Sequence, residues 1–367
     1  MARAAPYRVI LWGSGTLAGA IVRQLVKRHD FQLVGMLCHS TAKAGKDIGE
    51  LAGIAPLGIL ATNDKEKIHA LEADCVLVCV KDASEYSELD NEVIRLLESG
   101  KNVVSSTSYF YPPMRGKDHA DRLLQACKKG GTSLHGAGEH PSTICERLAL
   151  TLTGFCTELE HVTVEEYSDI GALSNPSMLH AAGIGRTAEE VQSSAGDVLQ
   201  VWGPLFEGMI GFMGLALYNA EPDRITMKST VSSDITERDF SLSADFCAAS
   251  GTAVCINQTF EGSVDGRPFI TLHLHWAYGV ENLPAKGLKS GQTHHVIEIE
   301  GKPISVKMTL DGQASFARDL VKDPNDPTIP IYYLAVGPII QAIPMVCKSG
   351  PGFIYQSAIT HFKPDYR

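Results

Sequence analysis

The stretch Tyr7–Ala18, YRVILWGSGTLA, decides the fold. Tyr7–Trp12 is an apolar run of strand length, and Gly13-Ser14-Gly15 follows at once. From Thr16 to Arg28 the apolar residues Leu17, Ala18, Ile21, Val22, Leu25 and Val26 recur at helical spacing. A G-x-G-x-x-A pattern between a strand and a helix has a specific chemistry. Gly13 permits a tight turn, Gly15 lets a pyrophosphate approach the backbone, and Ala18 lets the helix pack closely on the strand. The helix start adds unpaired N–H groups and a positive dipole end. Gly13, Ser14, Gly15, Thr16 and Leu17 are therefore expected to bind a dinucleotide; the alternative is an ordinary glycine turn in an α/β domain.

Outward from this loop, strands Gln32–Cys38, Asp74–Val80, Lys101–Ser105 and Thr132–His135 alternate with helices. One helix starts at Asn63/Asp64, and others cover Ser87–Ser99 and Asp118–Lys129. That rhythm implies βαβ units and a doubly wound parallel sheet. Beyond about residue 155, His161–Tyr167, Phe269–Trp276, Val296–Glu300 and Ile304–Leu310 alternate in polarity, as in a mixed or antiparallel sheet with one wet face. A helical stretch covers Ala188–Asn219, with a break expected near Gly203-Pro204. Tyr332–Ile343 reads as a helix that packs back on the first domain. The expected fold class is α/β: a Rossmann domain over residues 1–150, an α+β domain over 151–330, and a C-terminal helix and tail over 331–367.

The second strand ends Cys38-His39-Ser40-Thr41, without the acid that NAD sites place there, and Lys43 and Lys46 follow. Hydroxyls and cations suit a 2′-phosphate, so NADP is the expected cofactor, with NAD as the alternative. The plain alternative is that both lysines are solvated loop charges. Val80, Ser106 and Thr107, at the ends of later strands, complete the expected cofactor contacts.

Composition sets the outer bounds. The 367 residues carry 32 Lys and Arg against 42 Asp and Glu, a net charge of −10, which argues against a nucleic-acid or anionic-membrane binder. No apolar run approaches the ~20 residues that span a bilayer. The start lacks the apolar core of a signal peptide, and the nine cysteines form no CxxC pair. A cytoplasmic protein with reduced thiols is expected.

Several separate segments resemble the dihydrodipicolinate-reductase-like superfamily, and more narrowly its 2,4-diaminopentanoate dehydrogenase and amine dehydrogenase branch. These are RVILWGSG, HSTAKAGKDIGELAGIAPLGIL (His39–Leu60), GKNVVSSTSYFYP (Gly100–Pro112), HGAGEHPSTICERL (His135–Leu148), GIGR near Gly183, and AIPMVCKSGPGF (Ala342–Phe353). The resemblance implies an N-terminal Rossmann domain and a C-terminal domain for substrate binding and dimerisation. It also implies NAD(P)H-dependent reduction of an imine formed from a ketone and ammonia, hence a small-molecule ketone, imine or amine as partner, and a homodimer. Amine dehydrogenases place a catalytic glutamate in a C-E-E-L-x-Y-P segment; the matching segment here, Ser106–Pro112, has no acid.

Ligands of open α/β sheets bind beyond the carboxyl ends of the strands, where the loops Ser106–Tyr111 and Gly136–Pro141 fall. Glu139 is a candidate for proton handling or iminium stabilisation, and His140 is its rival. Both equally suit a helix start, where an acid is favourable anyway. Tyr109 offers a phenol to a carbonyl or imine, although tyrosines of a Y-F-Y-P loop also serve packing. Ser108, Tyr111, Glu165, Tyr167, Asn175, Met178 and His180 are the candidate substrate contacts. Glu165 and Tyr167 share a strand face, with Glu166 opposite. His273, His275, His294 and His295 lack a Cys or acid at ligand spacing, and no metal site is expected.

Overall fold

The computed structural model describes residues 5–80, 86–107, 109–173, 176–243, 246–285, 287–289, 292–313 and 330–355. The chain forms two compact units. The first takes the chain up to Ile144 and again from Tyr332, and the second begins at Cys145.

In the first unit, strands β1 (Tyr7–Trp12), β2 (Phe31–Leu37), β3 (Cys75–Val78), β4 (Asn102–Ser105) and β5 (Ser133–Gly136) form an all-parallel sheet. The short strand Gly352–Phe353 completes it, in the order Gly352–Phe353, β5, β4, β3, β1, β2. Val9, Ile10 and Leu11 are all fully buried, because each face of the sheet carries helices. On one face, Val9, Leu11, Cys75 and Leu77 pack with Ala18, Ile21, Val22 and Leu25 of α1 (Thr16–Leu25). Val336, Ile339, Ile340, Ile343 and Val346 of the C-terminal helix Pro330–Lys348 join the same core. Their 3-1-3-3 spacing puts all five within one stripe of that helix.

On the other face, Ile10, Trp12, Val76, Val78 and Val103 meet α4 (Tyr86–Glu98) and α5 (Lys117–Gly130) through Val93, Leu96, Leu97, Leu123 and Ala126. Two short helices, α2 (Ile48–Leu51) and α3 (Lys65–Ala70), start on Asp47 and Asp64; each side chain accepts backbone N–H groups of the first turn. The strand order reverses at β1, which has β2 on one side and β3 on the other. The crevice over the carboxyl ends of β1, β2 and β3 is therefore the place where such a sheet takes a ligand.

In the second unit, β6 (Glu158–Asp169), β7 (Ile225–Ile235), β10 (Ala253–Val264), β11 (Arg267–Ala277), β12 (Thr293–Lys302) and β13 (Val306–Gly312) form a mixed sheet in the order β13-β12-β6-β11-β10-β7. Only the β6–β11 pair is parallel among these ladders. A two-stranded ladder, β8 (Phe240–Ser243) with β9 (Phe246–Ala248), stands apart. Helices α6 (Leu150–Leu152), α7 (Pro176–Ala181), α8 (Ala188–Ser193) and α9 (Ala195–Tyr218) belong here. Phe206, Met209, Ile210 and Met213 of α9 are buried, and Phe206 stacks on Phe260 of β10 at 4.7 Å.

One expectation needs correction. Helix α9 runs straight through Gly203-Pro204, and the interruption in 188–219 falls at Ser194. A proline inside a helix costs ~3 kcal/mol through a lost hydrogen bond and a clash. The buried stripe of α9 offsets that, whereas nothing in the sequence of Ser194 announces a break.

Candidate cofactor and active site

A cavity of about 620 Å³ opens at the carboxyl ends of β1 and β3, lined by Trp12, Gly13, Ser14, Gly15, His39, Ser40, Lys43, Lys65, Cys79, Val80, Glu88, Leu89 and Glu92. All of these belong to the first unit. Gly13 sits at φ +130, and its N–H donates to the Leu37 carbonyl at 3.0 Å. The turn is crossed tightly by the next segment, because a Cβ on Gly13 would lie 2.3 Å from the Cys79 carbonyl oxygen. Gly15 caps α1 without any side-chain bond, and a Cβ placed on it would meet nothing within 4 Å. The start of α1 is thus uncapped by a side chain, with open space beside Gly15.

Of the expected cofactor residues, Gly13, Ser14, Gly15, His39, Ser40, Lys43 and Val80 come together in this cavity. Lys43 reaches back to donate to the Ser14 carbonyl at 2.6 Å, which ties the loop after β2 to the glycine turn. Thr41 and Lys46 are exposed outside its lining. Thr16 is exposed and hydrogen-bonds Tyr332 of the C-terminal helix, and Leu17 packs against the core. Ser106 bonds the Val78 carbonyl through both N–H and Oγ, and Thr107 is buried with its Oγ1 2.8 Å from Ser105 Oγ.

Lys65, Glu88 and Glu92 are lining residues that the sequence did not single out. Lys65 Nζ sits 2.7 Å from Glu88 Oε1 and 3.0 Å from Glu92 Oε1. Its ammonium holds the Glu88 carboxyl below the usual range, and Glu88 in turn raises Lys65. Burial pushes Glu92 up, but hydrogen bonds from His69 and Lys65 outweigh it and leave the carboxyl low. The spacing of Glu88 and Glu92, one helical turn apart on α4, was the available signal. It is common on solvated helices and points to no ligand by itself.

The loop after β4 presses on β5. A Cβ on Gly136 would lie 2.7 Å from the Phe110 backbone nitrogen, so only glycine admits this crossing. Tyr109 is buried, and its phenol donates to Asp90 at 2.6 Å. Asp90 also receives Arg115 at 3.2 Å and His119 at 3.2 Å. Burial raises the Asp90 carboxyl, but the bonds from His119 and Tyr109 and the Arg115 charge outweigh it; the net shift is downward. Tyr109 thus holds its loop to α4 through a carboxylate. Tyr111 is buried with its ring 5.4 Å from Tyr355, and burial pushes the Tyr355 phenol well up. Ser108 lies outside the described residues.

Glu139 and His140 open the helical segment Glu139–Ala149, which follows β5 and carries the chain towards the second unit. His140 is extended at φ −119, ψ 135, so regular winding starts after it. His135, just before, places Nδ1 2.7 Å from the Ile354 carbonyl and so carries a proton there.

In the second unit, β6 divides its carboxylates as its alternation requires. Glu165 accepts the Tyr167 phenol at 2.6 Å on the half-buried face, where Tyr167 stacks on His275 at 4.7 Å. Burial, then Glu165, pushes the Tyr167 phenol well up. Glu166 is buried on the other face and accepts Ser168 Oγ at 2.7 Å and Trp276 Nε1 at 2.8 Å. His180 is exposed on α7, Met178 belongs to the same helix, and Asn175 lies outside the described residues. His273, His275 and His294 pair with Thr259, Asn257 and Asp311.

No helix among the described residues is long and apolar enough to cross a membrane. Residues 7–129 match the family model of the dihydrodipicolinate reductase N-terminus. The chain is 25% identical over 359 residues to an amine dehydrogenase of Streptomyces virginiae, covering 94% of this chain and 93% of that protein. It is 25% identical over 271 residues to the 2,4-diaminopentanoate dehydrogenase of Acetoanaerobium sticklandii, covering 71% and 72%. The solved amine dehydrogenase of Mycobacterium smegmatis shares its fold at a TM-score of 0.73 and 17% identity, over 99% of this chain and 98% of that one. The resemblance read from the sequence is borne out as a likeness: the first unit matches the dihydrodipicolinate reductase N-terminus, and the chain is similar to an amine dehydrogenase and to a 2,4-diaminopentanoate dehydrogenase.

Proposed function

We propose that the chain is an NAD(P)H-dependent oxidoreductase that reduces a C=N or C=O bond, on the amine dehydrogenase pattern in which the imine forms from a ketone and ammonia. The observation that carries this is the cavity over the glycine turn, at the reversal of strand order, with His39, Ser40 and Lys43 in its wall. The dinucleotide supplies the hydride. The chain's own contribution is the open N-terminus of α1 for the diphosphate, with Gly15 leaving the space above it clear. NADP is the preferred form, with NAD as the alternative. An imidazole, a hydroxyl and an ammonium stand at the end of β2 where NAD sites hold an acid, and Lys65 is already paired with Glu88 and Glu92.

Lys43→Ala is expected to raise the NADPH dissociation constant about tenfold more than that of NADH, the worth of one charge-assisted bond. Fluorescence titration of both nucleotides measures it. An equal loss for the two would leave Lys43 as an anchor of Ser14 alone.

Glu139 is proposed to stabilise the cationic iminium and to exchange its proton, with His140 as the rival. Glu139→Gln should lower turnover by about a hundredfold at unchanged NADPH affinity; unchanged turnover would pass the role to His140. Ser108, Tyr111, Glu165, Tyr167, Asn175, Met178 and His180 remain the proposed substrate contacts, and a cytoplasmic homodimer the proposed state.

The deciding experiment follows NADPH oxidation over a panel of ketones, with and without ammonium. Turnover that requires ammonium supports the amine dehydrogenase reading. Turnover without it favours a reductase of preformed cyclic imines or carbonyls, a reading supported by the acid-free segment Ser106–Pro112. Binding without turnover across the panel would leave a non-catalytic NADP-binding protein.

A further inference from the structure

Two cysteines lie on the face of the first unit's sheet that the C-terminal helix covers. Cys75 lies on β3 and is fully buried, whereas Cys347 sits in the last turn of helix Pro330–Lys348 and is half-buried. Cys347 Sγ donates to the carbonyl of Asp74, the residue before Cys75, at 3.6 Å. It also accepts from Asn102 Nδ2 at 3.7 Å, and Asn102 is the lateral partner of Cys75 on β4. The Asn102 amide bonds the same Asp74 carbonyl at 2.8 Å, so one small network holds Cys347 against the strand. Cys75 is a buried member of the core on this face, and Cys347 packs against that same core.

We propose that Cys75 and Cys347 form a redox modification site, which a peroxide converts to a disulfide tying the C-terminal helix to β3. The two cysteines have different roles. Burial, then Cys347 itself, raises the Cys75 thiol well above the usual range, so Cys75 is a poor first nucleophile. Cys347 is partly exposed and has an N–H donor at its sulfur, so it reacts first. Its thiolate attacks the peroxide, the O–O bond breaks, and the sulfur becomes a sulfenic acid as one water leaves. The Cys75 sulfur then attacks the Cys347 sulfur; the S–O bond breaks, and the oxygen leaves with the Cys75 proton as a second water. Two thiols and one peroxide give one disulfide and two waters, with two electrons passing from sulfur to oxygen.

The same helix bears on the cofactor loop at its other end. Tyr332 hydrogen-bonds Thr16 in the first turn of α1, and Tyr333 accepts Arg23 of α1 at 3.5 Å. The bond would therefore fix one end of an element whose other end touches the start of α1.

The test treats the folded, full-length protein with about one equivalent of hydrogen peroxide, alkylates the remaining thiols, and digests it without reduction. A Cys75–Cys347 linked peptide, lost on prior reduction, is expected in mass spectrometry. In Cys75→Ser the sulfenic acid at Cys347 should persist and be trapped by dimedone, whereas in the wild type it should disappear into the disulfide. Cys347→Ser, at the partly exposed position, should fold and form no link; it keeps the test open should Cys75→Ser fail to fold. Over-oxidised Cys347 beside an alkylatable Cys75, or both thiols unreacted in folded protein, would overturn the proposal.

Discussion

Gly13→Ala is expected to abolish dinucleotide binding and to cost the fold on the order of 3 kcal/mol or more. Two physical effects act together. The residue sits at φ +130, which an L side chain adopts only under strain, and the added carbon would lie 2.3 Å from the Cys79 oxygen and 2.9 Å from its carbonyl carbon. Those are backbone atoms at the end of a buried strand, so no rotamer change relieves the overlap. Relaxation must move the glycine turn away from β3, and the bond from Gly13 N–H to Leu37 is lost with it. Chemical denaturation and NADPH titration read the two effects separately. Gly15→Ala is the control: its φ is −82 and its Cβ meets nothing. That variant should keep its stability and lose affinity only, by occupying the space proposed for the diphosphate. A Gly13→Ala protein with wild-type affinity would refute the cofactor assignment.

Asp90→Ala should cost about 3 kcal/mol. The carboxylate is 4% exposed and serves Tyr109, Arg115 and His119 at once, so its removal strips a buried acceptor from a phenol and the counter-charge from a guanidinium. The pH dependence has a definite sign. The folded protein binds the Asp90 proton more weakly than the unfolded chain does, since the net shift is downward. This group's stabilisation is therefore complete above the ordinary aspartate pKa of ~3.9 and is lost as pH falls through that value and below. The wild type should lose stability more steeply than Asp90→Ala as pH falls from about 5 to 3. Parallel acid-unfolding curves would show that Asp90 carries no such stabilisation.

The parts of the fold that were legible in the sequence are those where one local rule acts alone. Tyr7–Ala18 combined an apolar strand, a glycine turn and a helical stripe, and each has a single structural solution. The alternation in His161–Tyr167 likewise separated Glu166 from Glu165 and Tyr167 before any contact was known. Reading failed where tertiary packing overrode a local signal, as at Pro204, whose breaking tendency yields to the buried stripe of α9. It also failed where a site is assembled from distant segments. Lys65, Glu88 and Glu92 meet His39 and Ser40 only because α3 and α4 end up beside the switch point. Asp90 finds Tyr109 and Arg115 through side-chain geometry rather than through any motif. Charged residues on short helices read alike whether they face solvent or line a cavity.

The C-terminal helix and the strand Gly352–Phe353 complete a sheet begun at Tyr7, with Gly352 paired to Ser133 and Phe353 to Leu134. A ribosome delivers residues in order, so the nucleotide-type half emerges with one flank of β5 unpaired and the α1 side of its sheet short of a covering helix. At ~5–20 residues per second, this state persists for roughly ten seconds or more while the entire second unit is made. Nascent-chain chaperones therefore have a sticky, half-built client, and a stop codon placed just before the last helix should yield insoluble rather than merely inactive polypeptide.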